Sequence, residues 1–328
     1  MASSPRSLAR SGGSEIADVQ HLPVPRRRHV ALHALPRWVR GGGLSTLVFL
    51  APMLVIFGVF SWGPIVRAAV MSLHDTNLVS TTFVGLDNFA RVLSDPLLGI
   101  AVRNTAYFAL LALVFGYPIP LILAVLMSEV RRHRGLLSAL AYLPVVIPPV
   151  VAVLLWKFFF DGRPDGVFNT ILGWIGIGPV PWLQSAATAM PSLVLEATWA
   201  AAGGTVIIYL AALHGVSPEL YDAAEVDGAS IWQKIRHVTL PQLRGVLLIT
   251  LILQIIATSQ VFLEPFLFTA GGPANATLTV LLLIYKYAFQ NSIGGDYGAA
   301  TALSLMLAAF LAVLSWVYFR ATRSWSTT

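Results

Sequence analysis

Two carboxylates, Glu196 and Glu264, fall toward the ends of long apolar stretches in this 328-residue chain. An ionisable group at the centre of a bilayer costs roughly 2.5–3.5 kcal/mol on insertion scales, so it reaches for water, lines a cavity or finds a partner. At both positions the reading stays open between a side chain that snorkels to the surface and one that faces a cavity. Gln260 stands one helical turn before Glu264, and Gln254 one turn before Thr258, which predicts two polar stripes on a single helix. Phe262, Phe266 and Phe268 add flat aromatic faces, and Trp199 and Ser304 sit in neighbouring apolar stretches. A few amides, hydroxyls and carboxyls among apolar walls are what a pocket needs to hold a hydroxyl-rich solute. The same carboxyls could instead titrate in exchange with an ion.

A second kind of chemistry lies in DAAEVDGASIWQKIRHVTLP, Asp222 to Pro241, a charged stretch between two apolar ones. Ser217, Pro218 and Glu219 combine a hydroxyl cap, a proline suited to the first helical position and an acid for the first turn. The helix they start should run through Val226, pause at Gly228, resume over 231–237 and close at Pro241. Acids crowd the first half and Lys234, Arg236, His237 and Arg244 the second, each sign suited to its end of a helical dipole. Such a hairpin either joins two spans as a solvated connector or docks on another protein.

Other chemistries are excluded by residue type. There is no cysteine, hence no disulfide, thiolate nucleophile or thiolate metal site. A phosphate-cradling loop ends in Gly-Lys-Ser/Thr, whereas Lys157, Lys234 and Lys286 precede Phe, Ile and Tyr. No His-Glu-x-x-His pair or Gly-x-Ser-x-Gly elbow occurs, so the chain reads as no enzyme, with no cofactor or metal of its own.

The elements that must position these residues are membrane spans. The chain is 56% hydrophobic and 11% charged, against about 25% charged in ordinary soluble domains. Six stretches reach the length of about 20 residues that a bilayer demands of a helix: roughly 44–66, 104–127, 136–160, 191–213, 245–268 and 298–319. The expected fold is all-α and polytopic. Pro144, Pro148 and Pro149 remove backbone donors inside the third stretch and predict either a helix beside a cavity or a merely bent one. Gly203-Gly204 among alanines permits close helix packing.

Fifteen of the 21 Lys+Arg lie in the tails and the even-numbered loops. The positive-inside rule then places both termini and the 214–244 hairpin in the cytoplasm. The net charge of +6 follows membrane side and predicts no nucleic-acid partner. Residues 1–43, rich in Arg, Ser, Gly and Pro, read as a disordered basic cytoplasmic tail, with Arg26, Arg27 and Arg28 near anionic headgroups. An apolar run this long after the tail reads as an uncleaved first helix.

Taken together, Asp222, Ala223, Ala224, Gly228, Leu240 and Pro241 resemble the coupling loop of permease subunits of binding-protein-dependent ABC importers. Gly85-Leu86, Asn88-Phe89, Asp95-Pro96, Asn104-Thr105, the FTAGGP turn at 268–273 and Gly298-Ala299-Ala300 are similar to the maltose and glycerol-phosphate type of that family. Asp222 stands where glutamate is usual, and Arg244-Gly245 where many relatives carry another proline. The resemblance implies a type I ABC importer permease fold of six spans in a bacterial plasma (inner) membrane. It implies a division into the tail 1–43, a first helix and outer loop 44–103, a five-helix transport core 104–320 with the hairpin 214–244, and a cytoplasmic tail 321–328.

The implied partners are a second homologous permease, two ATP-binding subunits, an extracytoplasmic solute-binding protein, membrane lipid and a carbohydrate substrate. ATP is then bound by the partner subunits. The six hairpin residues would couple to the ATPase; Trp199, Gln254, Thr258, Gln260, Glu264 and Ser304 would face the solute. The competing readings are an importer of glycerol phosphate or another small solute, and an ion-coupled secondary transporter.

Overall fold

The computed structural model describes residues 42–76, 81–130, 134–290 and 295–322. Expectations for Arg26, Arg27, Arg28, the rest of the tail before residue 42, and 323–328 lie outside the described residues. The chain divides into two compact units, Met1–Phe60 and Ser61–Thr328. The first contains helix α1 (Gly43–Phe57).

The second unit begins with α2 (Gly63–Met71) and a small antiparallel hairpin of β1 (His74–Thr76) and β2 (Thr81–Phe83), paired His74 to Phe83. It continues through α3 (Asp87–Ser94), α4 (Pro96–Glu129), α5 (Arg134–Val146), α6 (Pro149–Phe159) and α7 (Val167–Trp174). Then follow α8 (Ala186–His214), α9 (Pro218–Val226), α10 (Ile231–Ser259), α11 (Val280–Phe289) and α12 (Tyr297–Thr322). Gly43–Met71, α4, α8, α10 and α12 are long and apolar enough to cross a membrane, and α5 with α6 supplies a sixth, broken span.

Over 136–160, where the prolines predicted a helix beside a cavity or a bent one, the helix is broken: α5 and α6 meet at 98°. Pro148 and Pro149 both lack an N–H, and a residue before proline is pushed out of the α region, so the ladder stops there. Elsewhere prolines are absorbed. In α4 a π turn, Ala112–Gly116, precedes Pro118, with Tyr117 N bonded to Ala112 O at 2.8 Å. The wider turn gives the proline ring room without ending the helix. This span also begins at Pro96, not 104, because the Asp95 side chain accepts from Leu97 N and caps it.

Packing centres on α8, which lies against α4 and α5. At Gly203 an added Cβ would stand 2.1 Å from the Ala141 carbonyl oxygen of α5, so only glycine permits this approach. Tyr209 of α8 is fully buried and shares a 2.8 Å hydrogen bond with Thr250 of α10. An aromatic cluster of Trp156, Phe160, Phe168, Trp182 and Phe268 fills the other end of the core. The loop 161–190 is held by buried Asn169, whose amide donates to the Asp161, Arg163 and Val180 carbonyls while its oxygen accepts from Val180 N and Trp182 Nε1.

Candidate functional site

The hairpin between α8 and α10 forms because its two turns are capped by different means. Ser217 has extended backbone, but its hydroxyl makes no cap bond, contrary to expectation; Pro218 in the first turn and Glu219 start α9. Gly228 then takes φ +72°, a left-handed angle that lets Ala229 N reach Ala224 O at 2.9 Å and ends the helix. Ser230 restarts the chain with a capping box: Gln233 N donates to its hydroxyl at 3.4 Å and Ser230 N donates to Gln233 Oε1 at 2.7 Å. The Ser-x-x-Gln spacing that signals this box was legible and passed over.

Pro241 does not close the element. A π turn, Ile235–Thr239, makes room ahead of it, and the helix runs unbroken from Ile231 to Ser259. Two contacts tie the arms of the hairpin, Lys234 Nζ to Glu225 Oε2 at 2.9 Å and Tyr221 OH to Thr239 Oγ1 at 3.1 Å. Hydrogen bonding from Lys234, then its charge, holds the Glu225 carboxyl below the usual carboxylate range.

A groove of about 410 Å³ opens on this hairpin, lined by Ala223, Ala224, Gly228 and Val238 among others. Asp222, Leu240 and Pro241 lie outside it. Val226, Ile231 and Trp232 are 88%, 78% and 69% exposed around the bend. Large exposed apolar groups clustered on a polar hairpin are the composition of an interaction surface. These three were missed in the sequence, although apolar residues flanking a glycine hinge are a readable signal.

A second feature is a cavity of about 570 Å³ between α4, α8, α10 and the segment that follows α10. Gln254, Thr258, Gln260 and Glu264 all line it, together with Gly116, Tyr117, Thr198, Thr205 and Thr250. Thr198, Thr205 and Tyr117 were not singled out from sequence, since hydroxyls in an apolar run carry no period of their own. Thr258 Oγ1 donates to Gln254 O at 2.8 Å, which leaves its lone pairs for a ligand. The expectation that Gln260 and Glu264 share one helix with Gln254 and Thr258 is corrected. The helix ends at Ser259, the Thr279 hydroxyl takes up the Val261 carbonyl at 3.0 Å, and Glu264 opens a separate turn over Pro265–Thr269. Tertiary contact to Thr279 stabilises a break that the apolar pattern does not announce.

Trp199 and Ser304 lie outside the cavity. Trp199 packs against Trp156 with the rings tilted, centroids 5.5 Å apart, and Ser304 donates to Ala300 O at 2.8 Å within α12. Glu196 is 2% exposed on α8, with Oε2 unpaired among the described residues. Among the described residues no group of three or more His, Asp or Glu could hold a metal.

The family described as "Binding-protein-dependent transport system inner membrane component" matches residues 116–326. The chain belongs to that family. This permease is 36% identical over 273 residues to the arabinooligosaccharides transport system permease protein AraP of Halalkalibacterium halodurans, covering 83% of this chain and 86% of that one. It is 35% identical over 281 residues to the lactose transport system permease protein LacF of Rhizobium radiobacter, covering 84% and 93%. The permease also superposes on a chain of a bacterial ABC transporter involved in the import of the acidic polysaccharide alginate. That match has a TM-score of 0.78 and 27% identity, and covers 88% of this chain and 99% of the other. The protein is therefore a multi-pass permease of an ABC importer with the type I fold.

Proposed function

We propose that this permease forms half of a carbohydrate pathway in a bacterial inner membrane and is driven through the 217–241 hairpin by ATPase subunits. One observation carries the reading. The helix Ile231–Ser259 holds the exposed hairpin at one end and Gln254 and Thr258 of the cavity near the other. At 1.5 Å per residue it is a rod of about 43 Å, so a displacement of its Ile231 end, beside the Gly228 bend, is carried to the cavity wall.

A nucleotide-dependent ATPase dimer that closes on the hairpin would seat Trp232 and Ile231 in a cleft and use Ala223, Ala224 and Gly228 as the close-approach face. Asp222 supplies a charge at its rim, while Leu240 and Pro241 connect the docked part to the span. ATP binding would draw the hairpin inward and open the cavity outward to a solute-binding protein; hydrolysis would reverse the motion. The companions are a second permease, two ATPases and an extracytoplasmic binding protein, with both termini and the hairpin in the cytoplasm. A carbohydrate fits the hydroxyl and amide lining of the cavity, and the relatives named for arabinooligosaccharides and lactose support that class.

The test is the complete transporter carrying Gly228→Asp. It should insert and assemble yet lose uptake, because a charged side chain enters the docking face. Normal ATP-driven uptake by that variant contradicts the reading.

A further inference from the structure

The cavity of about 570 Å³ has mostly apolar walls set with a few amides and hydroxyls and one carboxyl. Among the described residues Glu264 is the one charged residue in its lining, and no lysine or arginine lines it. A second carboxyl, Glu196, is buried on α8 outside the cavity lining. Lys157 donates its ammonium to the Leu267 carbonyl, 3.0 Å away, within the turn that Glu264 opens, and does not line the cavity.

We propose that Glu264 makes this cavity select against acidic saccharides and accept uncharged ones, an inference that rests on the carbohydrate reading above. A saccharide carboxylate entering the cavity loses water and gains no counter-charge from this wall. If Glu264 is ionised, the like charges repel in a site of low dielectric; if it is protonated, it offers one hydrogen bond and still no positive charge. A hydroxyl-rich uncharged sugar meets the opposite situation. Gln254, Gln260 and Glu264 can donate to or accept from its hydroxyls, and Phe262 supplies an apolar edge. Discrimination of this kind works by penalising the wrong solute. It separates this chain from its structural relative, whose transporter imports an acidic polysaccharide.

The experiment uses the complete transporter in proteoliposomes with ATP and its binding protein, offered radiolabelled arabinotriose or trigalacturonate. The uncharged trisaccharide should be taken up at least tenfold faster. Glu264→Gln, which keeps the hydrogen-bonding shape, should narrow that ratio severalfold, and Glu264→Arg should narrow it further, while Glu264→Asp keeps it. The binding protein is the same throughout, so a change in ratio reports the cavity and not delivery. Equal uptake of the two trisaccharides by the unaltered transporter, or a ratio that neither Glu264→Gln nor Glu264→Arg moves, overturns the inference and leaves the carbohydrate reading standing. Uptake of neither, with ATP-driven uptake of a different solute class, overturns the carbohydrate reading and the inference with it.

Discussion

Lys234 donates to Glu225 across the Gly228 bend at 2.9 Å, so the end of one hairpin helix is pinned to the start of the next. Because this contact lowers the folded-state pKa of Glu225 below the ordinary value of about 4.3, its contribution is complete above that ordinary value. It is lost as pH falls through the lower folded one. Spin labels placed at the exposed positions Val226 and Arg236 should report a narrow distance at neutral pH that broadens in acid below about pH 4. In Lys234→Met the distance should be broad throughout. A narrow distance in that variant would show that the ion pair does not hold the bend.

Gly228 offers a way to separate backbone geometry from docking. A Cβ there meets no atom within 4 Å, so substitution strains only the left-handed angle and the outer face. A β-branched residue should cost about 1–2 kcal/mol at φ +72°. Asparagine tolerates that region far better. Gly228→Asn should therefore retain more binding-protein-stimulated ATPase activity than Gly228→Val. If the two lose it equally, contact with the partner, and not the turn, is what glycine serves.

Gly203 and Gly204 are adjacent in sequence and opposite in environment. An added Cβ at Gly203 would collide with the Ala141 backbone, while at Gly204 it meets nothing within 4 Å. Overpacking of this kind costs about 1–3 kcal/mol. Gly203→Ala should lower the melting temperature of the purified protein by several degrees, and Gly204→Ala should leave it unchanged. Equal melting temperatures would mean that α8 and α5 do not approach this closely.

Gln254 lines the cavity from α10, far from the end of that helix that adjoins the hairpin bend. Gln254→Ala removes a carbonyl acceptor and an NH2 group from the wall, a change of about 1–1.5 kcal/mol for one lost hydrogen bond, or roughly tenfold in solute handling. Uptake should fall by about that factor while ATPase stimulation by the binding protein persists. Parallel loss of both would place Gln254 in the force path and not in the solute wall.

The sequence by itself determined the class of molecule. Apolar stretches of span length leave helices as the only way to satisfy the backbone in lipid, and the spacing from Asp222 to Pro241 identified the hairpin and the family it resembles. Gly228 at the bend follows from residue type and spacing, and Gln254, Thr258, Gln260 and Glu264 were picked out as polar groups in apolar surroundings, though the single helix expected to carry all four is broken after Ser259.

What only the tertiary structure decided is where helices stop. Pro241 and Pro118 look like breaks and are absorbed by π turns, whereas Ser259 looks like mid-helix and is an end, because the Thr279 hydroxyl satisfies the Val261 carbonyl from another segment. Trp199 and Ser304 carry suitable side chains but turn toward other neighbours. Backbone hydrogen bonds can be satisfied by partners far along the chain, and a pattern read over a few turns does not contain them.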